Sequence, residues 1–438
     1  MSISSTRIHT VGLALAIAST SVSAAQLDYG WRVGVGHSDN IGLEQSNPIS
    51  QNVLIPGFDF SYQQQGSTFQ TNVVGNMEYR DYLGNAFDNQ KLVELAGQAN
   101  WSVVPQRLDF TVRDVASVQP LSTFSSNVPN NQQEANVLAL GPIIHFRLNP
   151  TLRGQTELTY TNSHASKTNE FNSSRGSVAV RLIKDLNSTT SLSTNAEVER
   201  VTFDESNNAP NYNRTQLYAG YVSRLSKVEF DASLGWSRLT FNHADNVDSP
   251  LARFRIAWHA SPRTTLGLRA SREYADAAQD LLGEMGQNSP VSVPNTPLPS
   301  NIGTGNAVIS SQIYIERRLE GEYTYTGSLL TLTLAPLYRK LDYVNDSASN
   351  QVSRGGTAGL DYRLRPRLTL SAFANTDSRR YESLARTDRV SNFGVVLTNQ
   401  RTAHWSWSAL FTRRLRSSTA AGASYHANEI YLGVAYRR

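Results

Sequence analysis

Residues able to do chemistry are few in this chain of 438 and widely scattered. Cysteine is absent, so a thiolate nucleophile, a thiolate metal site and a disulfide framework are all excluded. Two short runs, His37-Ser38-Asp39 and His243-Ala244-Asp245, set an imidazole near a carboxylate. A catalytic base must be held by a third group against a nucleophile or a water. Sequence neighbours in an Asn-rich loop do not impose that geometry, so no catalytic residue is assigned and a non-enzymatic chain is expected. Acidic patches at Asp204-Glu205 and from Asp245 to Asp248 lack the ordered ligand spacing of a dedicated calcium loop. No P-loop glycine motif is present, and neither a metal nor a cofactor is expected.

Arginine carries more information. His145 with Arg147, and Arg253 with Arg255 followed by His259, are candidate contacts for an anion or a sugar hydroxyl, and Arg80 joins them. The competing reading is salt-bridging within a wall. Arg32, Arg113, Arg153, Arg181 and Arg269 recur in the same phase as Glu78, Glu94, Asp109, Glu157, Glu197, Glu199, Glu229 and Asp231. With signs so nearly balanced, no strong field selects either kind of ion.

A two-residue alternation positions these side chains. Leu27-x-Tyr29-x-Trp31-x-Val33-x-Val35, Phe230-x-Ala232-x-Leu234-x-Trp236, Phe254-x-Ile256-x-Trp258 and Trp405-x-Trp407-x-Ala409-x-Phe411 each alternate apolar with mostly polar residues. Side chains on a strand point to opposite faces in turn, so every such segment has one greasy and one wet face. All six tryptophans, Trp31, Trp101, Trp236, Trp258, Trp405 and Trp407, fall on the greasy face. They are expected to be lipid-facing anchors. Charges in the other phase would be intolerable against lipid, where a midplane Arg or Lys costs about 2–4 kcal/mol, and so imply a solvated interior. The predicted fold is all-β, a closed antiparallel transmembrane barrel of 18–20 strands, with twenty preferred.

The ends and connections agree with that fold. Arg7, the apolar stretch Val11–Ala18 and Ser23-Ala24-Ala25 read as a signal peptide over 1–25, leaving 26–438 as the barrel domain. Export through the inner membrane to the outer membrane of a Gram-negative bacterium is the expected route. No later apolar run is long enough for a transmembrane helix. Mean hydropathy is −0.38, because half of every barrel strand is polar. Without Arg7 the chain has 39 basic residues against 36 acidic, which gives no support to nucleic-acid binding.

Connections alternate between short turns, such as Val104–Arg107, Asn149–Thr151, Ser226–Lys227, Ser261–Arg263 and Arg365–Arg367, and long polar loops at 115–134, 162–174, 204–214, 242–250, 275–307 and 340–353. Short periplasmic turns and long outer loops are the layout of outer-membrane barrels. The loop 275–307, with Pro290, Pro294, Pro297 and Pro299, either folds into the mouth or waves at the surface. A TonB-dependent receptor needs a globular plug before its first strand. Alternation here begins at Leu27, so that class is not expected.

The last strand, Gly433-Val434-Ala435-Tyr436, is similar to the C-terminal signal read by barrel-assembly machinery, with Gly433 and Tyr436 as its residues and Arg438 where Phe is usual. Val33-Gly34-Val35-Gly36-His37-Ser38-Asp39-Asn40-Ile41, the run Asn136–Pro142 with Leu148–Thr151, and Arg317-Arg318-Leu319 leading to Tyr323–Gly327 resemble the β-barrel porins found with bacterial exopolysaccharide and exosortase (PEP-CTERM) gene clusters. The resemblance implies an outer-membrane passage for, or accessory to, surface polysaccharide. The expected partners are membrane lipid and lipopolysaccharide, the assembly machinery, and polysaccharide or export-complex proteins. A structural or adhesive barrel with a closed lumen is the alternative. A surface hydrolase is the third reading, which a Ser, a His and a carboxylate converging at the outer rim would promote.

Overall fold

The computed structural model describes residues 25–205, 211–242, 245–284 and 309–438. The first ten strands are β1 (Ala25–Ser38), β2 (Gln51–Gln65), β3 (Phe69–Tyr82), β4 (Gln90–Val104), β5 (Leu108–Pro120), β6 (Gln132–Asn149), β7 (Leu152–Ala165), β8 (Ser173–Asp185), β9 (Thr190–Phe203) and β10 (Tyr212–Arg224). Then follow β11 (Val228–Phe241), β12 (Val247–Ser261), β13 (Thr264–Asp276), the helix α1 (Ala277–Glu284), β14 (Ile313–Thr326), β15 (Leu330–Tyr343), β16 (Gln351–Arg365), β17 (Leu368–Tyr381), β18 (Arg386–Gln400), β19 (Trp405–Ser418) and β20 (Tyr425–Arg437). Each strand pairs antiparallel with its chain neighbour, and β20 pairs with β1 from Gly30↔Arg437 to Ser38↔Glu429. The sheet is a closed 20-stranded ring, so no strand edge is left to find a partner in lipid.

Connections at one end have two to four residues, and nearly all at the other are longer. The former is the periplasmic end of an outer-membrane barrel and the latter its extracellular end. Most of the expected long loops are shorter than their sequence suggested: 115–134 contracts to 121–131, 162–174 to 166–172 and 340–353 to 344–350. The strands have 13 to 18 residues, against the 9–11 or so that cross a bilayer, so their upper ends stand in water. Polar strand ends carry no hydrophobic alternation, yet their backbones go on pairing. The loop expected at 275–307 is also different: β13 runs to Asp276 and α1 follows at once. The prolines and later glycines of that segment lie outside the described residues.

Ion pairs identify the inner face. Arg175 on β8 reaches Asp276 at the end of β13, five strands away, at 2.6 Å, which only a chord through the lumen allows. The opposite face carries the large exposed apolar side chains, among them Leu217, Leu234 and Leu432. Trp31, Trp101, Trp236, Trp258 and Trp405 stand on it about half exposed, and Trp407 shares the phase but is more covered. Trp101, Trp258 and Trp405 lie within a few residues of the short-turn end, where indoles suit a membrane interface.

The seam between the first and last strands is set by two glycines. Gly34 faces Gly433 across it, and the Tyr431 ring lies over both. A Cβ on Gly34 would stand 2.3 Å from Tyr431 Cζ, and one on Gly433 would stand 2.3 Å from the Tyr431 hydroxyl. Tyr436 turns outward, with its ring 5.3 Å from that of Trp405. Gly34→Val should therefore destabilise the barrel by about 1–3 kcal/mol through overpacking, and Tyr431→Ala in the same chain should recover part of that loss. Urea titration read by the heat-dependent gel shift of folded barrels checks this. A Gly34→Val barrel as stable as the parent would show that the ring has room to move aside.

Candidate functional site: a roofed lumen

The interior differs between its two ends. Near the periplasmic turns, the inward side chains of Gln63, Gln70, Asn72, Arg147 and His259 are exposed to the lumen. Towards the extracellular end, Arg32, Glu78, Arg214, Gln216, Glu316 and Arg339 are each less than a tenth exposed. Two segments from different parts of the wall produce this change by folding inward.

The first is α1. Asp276 is its N-cap, and its Oδ1 accepts from the backbone N–H groups of Ala278 and Gln279 at 3.0 and 3.1 Å. Its Oδ2 accepts from Arg175 Nη1 at 2.6 Å and from the Tyr212 hydroxyl at 2.9 Å. One turn on, Asp280 accepts from the Tyr314 hydroxyl at 2.6 Å and from Arg339, whose Nε also donates to Glu316 at 2.6 Å. The apolar face, Ala277, Ala278 and Leu281, packs against Ala135 and Val137 of β6, Ala165 of β7 and Phe171. Strands β6 and β7 are six or seven places round the ring from β13, so the helix lies across the lumen.

The second is the loop 121–131. Arg416 Nη2 on β19 donates to the carbonyls of Thr123 and Phe124 at 3.1 and 3.0 Å and to Asp388 on β18 at 2.8 Å. Tyr381 on β17 donates its hydroxyl to Thr123 Oγ1 at 2.7 Å, and its ring lies 4.7 Å from Phe124. The Arg386 guanidinium sits 5.1 Å from the Phe124 ring centroid. Leu43, from the loop after β1, is buried against Tyr425 and Ala427 beside Val128. An inward-facing apolar cluster, including Val53, Tyr82, Phe373 and Tyr431, fills the wall near this loop.

The six candidate lumen residues do not form one site. Arg80 pairs with Glu78 at 2.6 Å within a network that includes Arg32 and Asp59. His145 lies 2.9 Å from Asp109 near the periplasmic end, with Arg147 beside it. His259 is 3.7 Å from Glu229 and 3.3 Å from Thr265 Oγ1. Only Arg253 and Arg255 come together in a cavity, of about 460 Å³, bounded above by Gln279, Asp280 and Gly283 of α1. The arrangement can present guanidinium and carboxylate groups to a hydrated solute. Among the described residues, no group of three or more His, Asp and Glu is placed to hold a metal ion.

The imidazole–carboxylate run at His37-Ser38-Asp39 does not form a couple. His37 faces outward at the extracellular rim, where Nδ1 lies 2.7 Å from Asn52 Oδ1 and Nε2 lies 3.4 Å from Ser50 Oγ. Asp39 turns instead to Asn428, accepting from its backbone and side-chain N–H groups at 2.7 Å each. Burial raises the Asp39 carboxyl, but those two donors, with His426 and His37 nearby, outweigh it and hold the group below its ordinary range. His243 lies outside the described residues. Asp248 is engaged by Arg238 at 2.8 Å.

Sequence reasoning missed the residues that hold the roof. A signal for α1 was present: Asp276-Ala-Ala-Gln-Asp280-Leu-Leu has an N-cap residue, helix formers and an acid in the first turn. Arg175, Arg339 and the Thr123–Phe124 contacts left no such signal, because their partners are more than 50 residues away.

Residues 341–438 match the family described as Putative beta-barrel porin 2. That segment runs from the end of β15 through β20, so the likeness covers the C-terminal quarter of the wall. No curated protein matches the sequence. Among solved structures, the chain is similar to the ferric enterobactin receptor PfeA of Pseudomonas aeruginosa, at 10% identity and a TM-score of 0.48, covering 96% of this chain and 82% of that one. It is also similar to the FrpB iron transporter of Neisseria meningitidis (10%, 0.44, covering 94% and 82%) and to the copper transporter OprC (10%, 0.46, covering 94% and 80%). Likenesses this distant say nothing about which solute this barrel meets. Its own geometry is that of a porin-like outer-membrane barrel.

Asp276→Ala removes the helix cap and leaves Arg175 unpaired in a buried position, a change worth about 3–5 kcal/mol where a buried pair is broken. The loss should fall on α1 while the ring stays closed. Hydrogen exchange should show amides 277–284 unprotected with the wall strands unchanged, and full protection of α1 would refute the docking role of this pair.

Proposed function

We propose that this protein is an aqueous passage of the Gram-negative outer membrane for hydrated polar solutes. Surface polysaccharide, or its building units, is the class of cargo suggested by the family resemblance. The observation that carries the reading is the lumen itself: wet and charged from the periplasmic end, then narrowed by α1 and the loop 121–131. Transport is permissive. Backbone pairing closes the wall, outward aromatics seat it in lipid and lipopolysaccharide, and inward Arg, Glu, Asn and Gln exchange hydrogen bonds with whatever moves past. Residues 1–25 act as a cleaved export signal, and the end of β20 presents Gly433 and Tyr436 to the assembly machinery.

The inward-folded segments also favour a second reading, a structural or adhesive barrel whose mouth stays shut. Single-channel recording in planar bilayers separates the two. The passage reading expects current steps from purified protein, larger in Asp276→Ala, with partial block by small polyethylene glycols added from the periplasmic side. A silent parent and a silent variant would leave the closed barrel as the answer.

The third class, a surface hydrolase, gains one observation in the contacts of His37 with Ser50 and with Asn52. An amide stands where the carboxylate was sought, and Ser50 is exposed. A fluorophosphonate probe should therefore leave Ser50 unmodified. Labelling lost in Ser50→Ala would move the chain among ester hydrolases.

A further inference from the structure

The cavity beneath α1 has an arrangement of charge that wall salt-bridging does not exhaust. Across four adjacent strands, Asp231, Arg255, Arg269 and Glu320 form one register row facing the lumen. The two arginines in the middle are direct cross-strand neighbours, a pairing of like charges that costs stability to the extent that water does not screen it and that an anion shared between them would relieve. The flanking acids are engaged elsewhere. Asp231 takes Arg224 at 2.8 Å, and Glu320 takes Arg318 at 3.2 Å while standing 3.9 Å from Arg269. In the next row, Arg253 is held by Glu273 at 2.6 Å. Among the described residues, Arg255 has no carboxylate within ion-pair distance, and its side chain is exposed to the lumen.

From this geometry we infer that Arg255 and Arg269 form a binding site for a carboxylate-bearing sugar. Two guanidiniums on neighbouring strands can grip one carboxylate between them, and Arg forks match that planar group better than any other side chain. The remaining lining suits hydroxyls. Glu273 and Asp231 offer acceptor oxygens, and Gln279 on the helix offers an amide that can both donate and accept. A volume of about 460 Å³ falls in the range of small-ligand sites and holds one or two pyranose rings. A neutral sugar would leave the arginine pair unmatched, and a bare small carboxylate would leave the hydroxyl partners unused. The site thus names a ligand class for the proposed passage, and it rests on that reading for its place in transport though not for binding.

Isothermal titration of the full-length barrel refolded in detergent tests it, with D-glucuronate, D-glucose and acetate as probes. Glucuronate should bind saturably and at least about tenfold more tightly than glucose or acetate. Arg255→Ala and Arg269→Ala should each weaken it about tenfold or more, as loss of a charge-assisted hydrogen bond implies. Arg255→Lys, which keeps the charge but loses the fork, should fall between, and Arg200→Ala on the outer face should bind like the parent. Equal affinity for glucuronate and glucose, or parental affinity in both alanine variants that still show the folded gel shift, would overturn the site. Conductance without glucuronate binding would remove only this inference. Binding in a barrel that never conducts would instead remove the passage and leave the site standing.

Discussion

Everything in this molecule depends on leaving no backbone donor or acceptor unpaired where water is absent. In hydrocarbon each such group costs several kcal/mol, so a sheet must close on itself. Here closure falls to β1 and β20, the two ends of the chain, which meet over nine register pairs. Their meeting is shaped by absent side chains as much as by present ones. Gly34 and Gly433 leave a shallow place at the seam, and Tyr431 occupies it. Once the ring is shut, alternation assigns every side chain to lipid or lumen, and the rest of the structure follows from what the lumen does with its share.

A ring of twenty strands encloses more space than its own side chains can fill, and the two ends of this lumen meet that excess differently. Near the periplasm it is left to water, and charged groups there stand exposed. At the extracellular end the chain brings in α1 and the loop 121–131. Their anchoring is mainly electrostatic. A buried ion pair gains little over an apolar contact of the same shape, since desolvation offsets most of the Coulomb attraction, but it tolerates no substitute geometry. Arg175, Arg339 and Arg416 hold their segments in one position for that reason, and the apolar contacts of Leu281 and Phe124 add adhesion. The same physics explains the arginines that remain: the row of Arg255 and Arg269 lies below the roof, where water can still screen two like charges.

The wall was legible from the residues. Trp31, Trp101, Trp236, Trp258 and Trp405 stand on the outer surface, Arg32, Arg253 and Arg269 on the inner one, and the strands number twenty. That follows from a period of two, a property of local backbone geometry that any ten residues can display. Loop lengths were less legible, since polar strand ends such as Ser173–Arg175 alternate nothing but pair all the same. The helix α1 had its cap written in Asp276-Ala-Ala-Gln, yet it was hidden in a segment whose prolines and glycines pointed to irregular structure.

By itself, the sequence determined the class of fold, the direction each side chain faces and the end at which the long loops lie, because all three are set by neighbours along one strand or one hairpin. Only the tertiary structure decided that the mouth is roofed, that six candidate lumen residues are dispersed and that Arg255 meets Arg269. The roof joins strands far apart in the chain, and such contacts depend on the curvature and register of the closed ring, which leave no periodic trace in the order of residues. The arginine pair depends on the register of the β12–β13 hairpin, which shifts at an irregularity between His259 and Ser261.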